Sequence, residues 1–155
     1  MSDTEKLLAL EELRILKARY FRFVDGKRWS EWGALFEPNV LARFHHAGQI
    51  MEFKGREALV DTVSRFLQPA LTIHHGHTPE LELLSPTAAS GNWVMQDWLY
   101  WPEGTHPDGV RCILGWGHYE ETYCKASGAW RIATLTLTRS RLLIDPRGDG
   151  ESLVT

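Results

Sequence analysis

Three histidines crowd into seven residues, His74-His75-Gly76-His77-Thr78-Pro79-Glu80, at the opening of a segment that reads as a β-strand. Side chains on a strand alternate between two faces, so only some of the three share one side. A buried neutral imidazole is a natural general base near neutral pH, above all when a carboxylate on its second nitrogen fixes the tautomer and stabilises the charged form. Asp25 is a candidate for that carboxylate. It closes a long amphipathic segment, where the negative end of a helix dipole makes an unpaired carboxylate costly and calls for a cation or a donor. The other reading of Asp25 is a solvated Asp-Gly helix stop. A metal site is the rival reading of the histidines, since His75, His77 and Glu80, with His118 far downstream, have the ligand types of a small metal-binding barrel. Against it, such barrels do not open with a long helix, and the glycine five residues before their first ligand is missing.

Two further polar groups fall on apolar faces. Asp97 alternates with Trp93, Met95, Leu99 and Trp101, and Arg139 shares parity with Leu135, Leu137 and Arg141. A pair between Asp97 and Arg139 resolves both burial costs, either as a structural ion pair or as a grip on a polar group of a ligand. Tyr20 lies in the middle of an apolar helical stripe, where its hydroxyl needs a partner, a backbone carbonyl or a substrate oxygen. Ideal helix geometry sets Asp25 off that stripe, so bringing the two together needs distortion at the helix end.

The elements that must position these residues follow from periodicity. A helix from Ser2 to Asp25 opens with the Ser2-x-x-Glu5 capping box and carries Ala9, Leu13, Leu16, Tyr20, Phe23 and Val24 on one stripe, with Gly26 as its stop. A short helix over Ser30 to Phe36 precedes Pro38-Asn39. Strand-like Val40 to His45 then turns through Ala47-Gly48 into Gln49 to Phe53. A third helix spans Arg56 to Leu67, with Leu59, Val63, Phe66 and Leu67 inward and Pro69 ending it. Ile73 to Leu84, Ala88 to Trp101, Val110 to Lys125 and Ala129 to Ile144 read as a long antiparallel meander. Residues 1–144 are expected to form one α+β domain with helices on one face of a curved sheet, and 145–155 a tail.

At 155 residues the chain has the size of one domain. Its net charge of −3 and scattered basic residues give no electrostatic footprint for nucleic acid. No apolar run approaches the roughly 20 residues of a membrane span, and Met1-Ser2-Asp3-Thr4-Glu5 lacks the basic start of an export signal, so a cytoplasmic location is expected. Cys112 and Cys124, twelve residues apart on one strand, are separated by about 40 Å and cannot bridge within a subunit. The seven tryptophans suit a large flat ligand, a core or an oligomer interface.

Lys17 to Lys27 (Lys-Ala-Arg-Tyr-Phe-Arg-Phe-Val-Asp-Gly-Lys), His74 to Leu81, Gly91-Asn92-Trp93 leading to Asp97, and Trp130-Arg131-Ile132 leading to Arg139 together resemble one family. It is the SnoaL-like branch of the NTF2-like, or cystatin-like, superfamily, and within it the bile-acid 7α-dehydratases, with the scytalone dehydratases more distant. The likeness covers nearly the whole chain. It implies a cone of strongly curved, mostly antiparallel sheet closed by three helices around a hydrophobic pocket. It also implies a homo-oligomer built through the sheet, a trimer before a dimer, and chemistry without metal or organic cofactor.

The family's active-site residue types recur at Tyr20, Asp25, His74, Asp97 and Arg139, which selects His74 over His75 and His77 as the base. Trp93, Met95, Trp116 and Tyr119 are expected to line the pocket. Two departures bear on the pocket mouth and the substrate: His75 stands where the family pattern has an apolar residue, and the loop Pro102 to Asp108 differs in composition. The resemblance implies a cofactor-independent lyase of the dehydratase type acting on a small hydrophobic molecule, a cyclic ketone of steroid or polyketide character. A cyclase or isomerase using the same base, or a non-catalytic ligand-binding or partner subunit, are the alternatives.

Overall fold

The computed structural model describes residues 1–46 and 48–145, and sets three helices against a six-stranded sheet. Helix α1 (Asp3–Asp25) opens as its sequence dictates: the Ser2 hydroxyl accepts from the Glu5 amide at 3.2 Å, and the Glu5 carboxylate accepts from the Ser2 amide at 2.6 Å. Its buried stripe comprises Ala9, Leu13, Leu16, Tyr20, Phe23 and Val24, and also Lys17. The helix ends at Asp25, where the Gly26 amide donates back to Arg22 and Lys27 takes a left-handed φ of 57°.

Helix α2 (Trp29–Ala34) leads directly into β1 (Phe36–His46). This strand begins four residues before the expected Val40. The pairing register breaks between Phe36 and Leu41, and such an irregularity tolerates Pro38, which has no amide to donate. Strand β2 (Gln49–Lys54) returns antiparallel beside β1; Ala47 of the intervening turn lies outside the described residues.

Helix α3 (Arg56–Leu67) buries Leu59 and Leu67, but Phe66, expected inward, is 40% exposed. Phe66 packs at the helix edge instead, 5.2 Å from the Trp101 ring, and its carbonyl accepts from the Trp101 indole.

Strands β3 (Leu71–Ser85), β4 (Ala88–Tyr100), β5 (Cys112–Ala126) and β6 (Ala129–Ile144) form the expected antiparallel run. The sheet order is β2-β1-β6-β5-β4-β3, and β1 lies parallel to β6, so one pair in an otherwise antiparallel sheet joins the two ends of the chain. Strand β3 is therefore an edge, and α1 lies over it. Gly76 permits the approach: a side chain there would meet the Phe21 ring at 2.5 Å.

The core fills the space between helices and sheet. From β4 it takes Ala89, Trp93, Met95 and Leu99, from β5 Ile113, Tyr119 and Tyr123, and from β6 Ile132, Leu135 and Leu137. Cys112 and Cys124 sit at opposite ends of β5 and are unbonded. Of the expected tail only Asp145 is described; its carboxylate accepts from the amides of Arg111 and Cys112, and the remainder lies outside the described residues. Among the described residues no helix is long and apolar enough to cross a membrane.

Candidate active site

The end of α1 meets the edge strand at Asp25. One carboxylate oxygen, Oδ1, lies 2.6 Å from His74 Nδ1 and accepts from the Thr72 hydroxyl at 2.9 Å. The other, Oδ2, accepts from the His74 backbone amide at 3.0 Å. Among the described residues β3 is an edge with no strand on the side of that amide, and Asp25 satisfies it. Burial, the largest influence on Asp25, pushes its carboxyl up; the hydrogen bonds and charge of His74, with Thr72, outweigh it and hold the group below the usual carboxylate range. An ionised carboxylate only accepts, so Nδ1 donates to Oδ1, and the neutral tautomer that this contact favours has its lone pair on Nε2. The His74 side chain is 8% exposed.

Beside His74 on β4 stands its cross-strand partner Asp97, which is fully buried. Arg139 on β6 reaches over β5 and donates from Nη2 to Asp97 Oδ2. Two glycines of β5 make the crossing possible. A side chain at Gly115 would fall 2.2 Å from Asp97 Oδ1 and 2.6 Å from Arg139 Nε, and one at Gly117 would strike the Thr138 carbonyl at 1.9 Å. A break in the β5–β6 register follows Arg139, so Arg141, expected on the same face, turns outward and lies over the Trp116 ring at 5.7 Å.

A second buried polar chain runs along the same interior and is absent from the sequence reading. Lys17 of α1 and Glu121 of β5 form an ion pair with both side chains 1% exposed or less. Glu121 also accepts from the Tyr123 hydroxyl at 2.5 Å, which in turn accepts from the Trp93 indole at 2.9 Å. The Lys17 ammonium sits 4.0 Å from the Tyr20 ring centre and 3.6 Å from that of Tyr119. Burial, acting against the attraction of Glu121, lowers it from the ordinary lysine range. Burial pushes the Tyr20 and Tyr119 phenols well up, so both remain protonated donors at neutral pH.

The two alternating faces of β3, β4 and β5 place the remaining candidates. Trp93, Met95 and Tyr119 lie on the inner face with Asp97, each 5% exposed or less. Trp116 does not line that interior. It alternates with the buried Gly115 and Gly117 and pairs with Gln96, so it belongs to the outer face. His74 faces inward, while His75 and His77 face outward. His118 is outward too, on β5, with Val94 of β4 between it and His77. Among the described residues no three His, Cys, Asp or Glu side chains converge to hold a metal. The outer face also carries a cavity of about 550 Å³ bordered by Glu80, Glu82, Asn92, Glu120, Thr122 and Thr136.

A helix-covered curved sheet with a His/Asp pair at the end of its first helix and an Arg/Asp pair inside defines a class, and sequence comparison names it. Residues 5–136 match the model of the SnoaL-like domain, and the chain belongs to that family. One relative, the Probable cyclase FGR4 of Gibberella zeae, is 27% identical over 133 residues, covering 79% of this chain and 85% of that protein. The hexachlorocyclohexane dehydrochlorinase LinA-type3 of Novosphingobium barchaimii superposes with a TM-score of 0.80 at 20% identity over 99% of both chains. A scytalone dehydratase-like protein of Novosphingobium aromaticivorans superposes with a TM-score of 0.77 at 20% identity, covering 92% of this chain and 91% of that one. The last two share the fold.

Proposed function

We propose that this protein is a cofactor-independent lyase of the dehydratase type, which removes a proton near the carbonyl of a hydrophobic cyclic ketone and expels a hydroxyl group as water. The observation that carries the reading is the 2.6 Å contact between Asp25 Oδ1 and His74 Nδ1, with the His74 amide held by the same carboxylate. It holds the ring at Nδ1 and the residue at its backbone, and in the neutral imidazole it turns the Nε2 lone pair to the task of a general base.

In this mechanism His74 Nε2 takes the acidic C–H proton, and the bond electrons pass to the carbonyl oxygen. A protonated phenol, Tyr20, donates a hydrogen bond to that oxygen as negative charge gathers on it. The enolate then reforms its carbonyl and breaks the C–O bond of a β- or vinylogous hydroxyl. The imidazolium, stabilised by Asp25, returns its proton to the departing oxygen, so water leaves and a conjugated enone remains. Asp97 and Arg139 hold the hydroxyl for departure. The resemblance of its residue pattern to bile-acid 7α-dehydratases supports hydroxylated 3-keto-steroids, beside other β-hydroxy ketones, as candidate substrates. Copies of the chain associate through the outer face, where Ile73, Trp98, Leu114 and Leu143 line up across four strands.

A cyclase is the second reading, favoured by the relative FGR4. It uses the same base and enolate, with attack on an internal carbonyl in place of hydroxyl loss. The deciding experiment follows the ultraviolet spectrum of purified protein with β-hydroxy ketones, hydroxylated 3-keto-steroids and linear polyketide analogues, wild type against His74→Ala. His74-dependent enone absorbance with loss of water by mass supports the dehydratase. A ring-closed product supports the cyclase. Thermal stabilisation by the same compounds without turnover replaces both with a binding protein.

A further inference from the structure

The turn that ends α1 holds a lysine in a conformation that favours glycine. Lys27 has φ of 57°, while its neighbour Gly26 sits at an ordinary −78°. A side chain in the left-handed region carries a steric cost, and such outliers gather where the position serves a purpose. Here the backbone brings the half-buried Lys27 to Thr72, whose hydroxyl accepts from Nζ at 2.8 Å. An ammonium only donates, and a hydroxyl has a single hydrogen. The Thr72 hydrogen is thereby left for Asp25 Oδ1, 2.9 Å away, on the oxygen that also meets His74 Nδ1.

The other charged groups around this point are committed elsewhere. Arg28, next in the turn, pairs with Glu31 of α2, and Arg22 of α1 lies over the Phe23 ring. Asp97, the β4 partner of His74, is tied to Arg139 of β6. Among the described residues, Lys27 is the cation that hydrogen bonds connect to the Asp25–His74 pair.

We propose that Lys27 is a positioning residue, acting through Thr72 to hold Asp25 as an oriented anion and to temper the pull of that anion on the His74 imidazole. The role rests on the reading of His74 as the base. Burial lowers the Lys27 ammonium, and the attraction of Asp25 opposes that shift.

The test is the carboxyl titration of Asp25, followed by carbon NMR of aspartate-labelled protein. Lys27→Met is expected to move the midpoint up by about half a unit to one unit, the effect of withdrawing a nearby cation. Thr72→Val, which keeps the shape and breaks the link, moves it in the same direction, and Lys27→Arg returns it towards wild type. Should Lys27→Met fold poorly, Lys27→Asn carries the same test, because asparagine tolerates the left-handed backbone. A midpoint unchanged from wild type in a natively folded variant overturns the proposal, because a merely structural lysine would leave it there. The readout does not depend on turnover. A protein inactive on every substrate whose Asp25 still answers to Lys27 loses the lyase reading and keeps the relay.

Discussion

Asp25 and His74, 49 positions apart in the chain, meet at 2.6 Å because the last residue of α1 stops beside the free edge of β3. The carboxylate serves both the ring and the backbone amide of the same histidine, which fixes the imidazole in position and tautomer together. Removing either partner should affect catalysis more than folding. His74→Ala is expected to lower turnover by about 10²- to 10⁴-fold with ligand affinity largely kept, as measured by kcat and by equilibrium binding. Asp25→Asn keeps the shape, but its amide can drive the ring to the other tautomer, so it should also lose most of the rate. A rate within twofold of wild type removes Asp25 from the mechanism.

The same contact makes a prediction about acid stability. Asp25 is held below the usual carboxylate range, so it is ionised in the folded protein under conditions where it is protonated in the unfolded chain. Its contribution to stability is complete above the unfolded carboxyl pKa, about 4, and is lost as pH falls through the lower folded value. The stability gap between wild type and Asp25→Asn, read from urea unfolding, should be widest near neutrality and close as pH falls below about 4. A gap that widens towards acid contradicts the assignment.

Gly115 is a third test, because its missing side chain is what lets Arg139 reach Asp97 across β5. Gly115→Ala pushes a methyl group into both partners, and the cost expected for an overpacked core is about 1–3 kcal/mol, with the ion pair displaced. Activity should fall further than stability predicts if Asp97 and Arg139 hold the substrate hydroxyl. Equal behaviour of Gly115→Ala and wild type in urea unfolding would show that the crossing is not tightly packed.

Much of this was legible in the chain because local patterns and tertiary burial agree. The capping box, the stripe of α1 and the alternation of β4 around Asp97 follow from local motifs and periods of 3.6 and 2, whereas the choice of His74 over His75 and His77 comes from the family resemblance. Trp116 fails on the same rule: it differs in parity from Tyr119, so the two cannot face one interior, and the outer position was readable from spacing. Strand β1 began early because Pro38 reads as a breaker in sequence, whereas the register irregularity that accommodates it depends on the parallel neighbour β6. Lys17 and Glu121 each left a signal, a charge on an apolar stripe or face, as Asp97 and Arg139 did. Their partnership joins α1 to β5 across 104 positions, and no local pattern states which opposite charge lies across the core.

That unforeseen pair yields the last prediction. Lys17 and Glu121 are both out of water, and removing one charge leaves the other buried and uncompensated. Lys17→Met should therefore destabilise the fold by about 3–5 kcal/mol in urea unfolding. Adding Glu121→Gln removes the stranded charge while keeping an acceptor for the Tyr123 hydroxyl, and the double variant should regain at least half of the loss. The coupling energy from the four-protein cycle then reports the pair itself. Turnover separates structure from chemistry in the recovered double variant. The Lys17 ammonium lies against the faces of Tyr20 and Tyr119, where a cation makes each phenol a stronger donor to an enolate oxygen. If that matters, the stable double variant remains slow, with kcat reduced and KM little changed; full activity would confine Lys17 and Glu121 to holding α1 on the sheet.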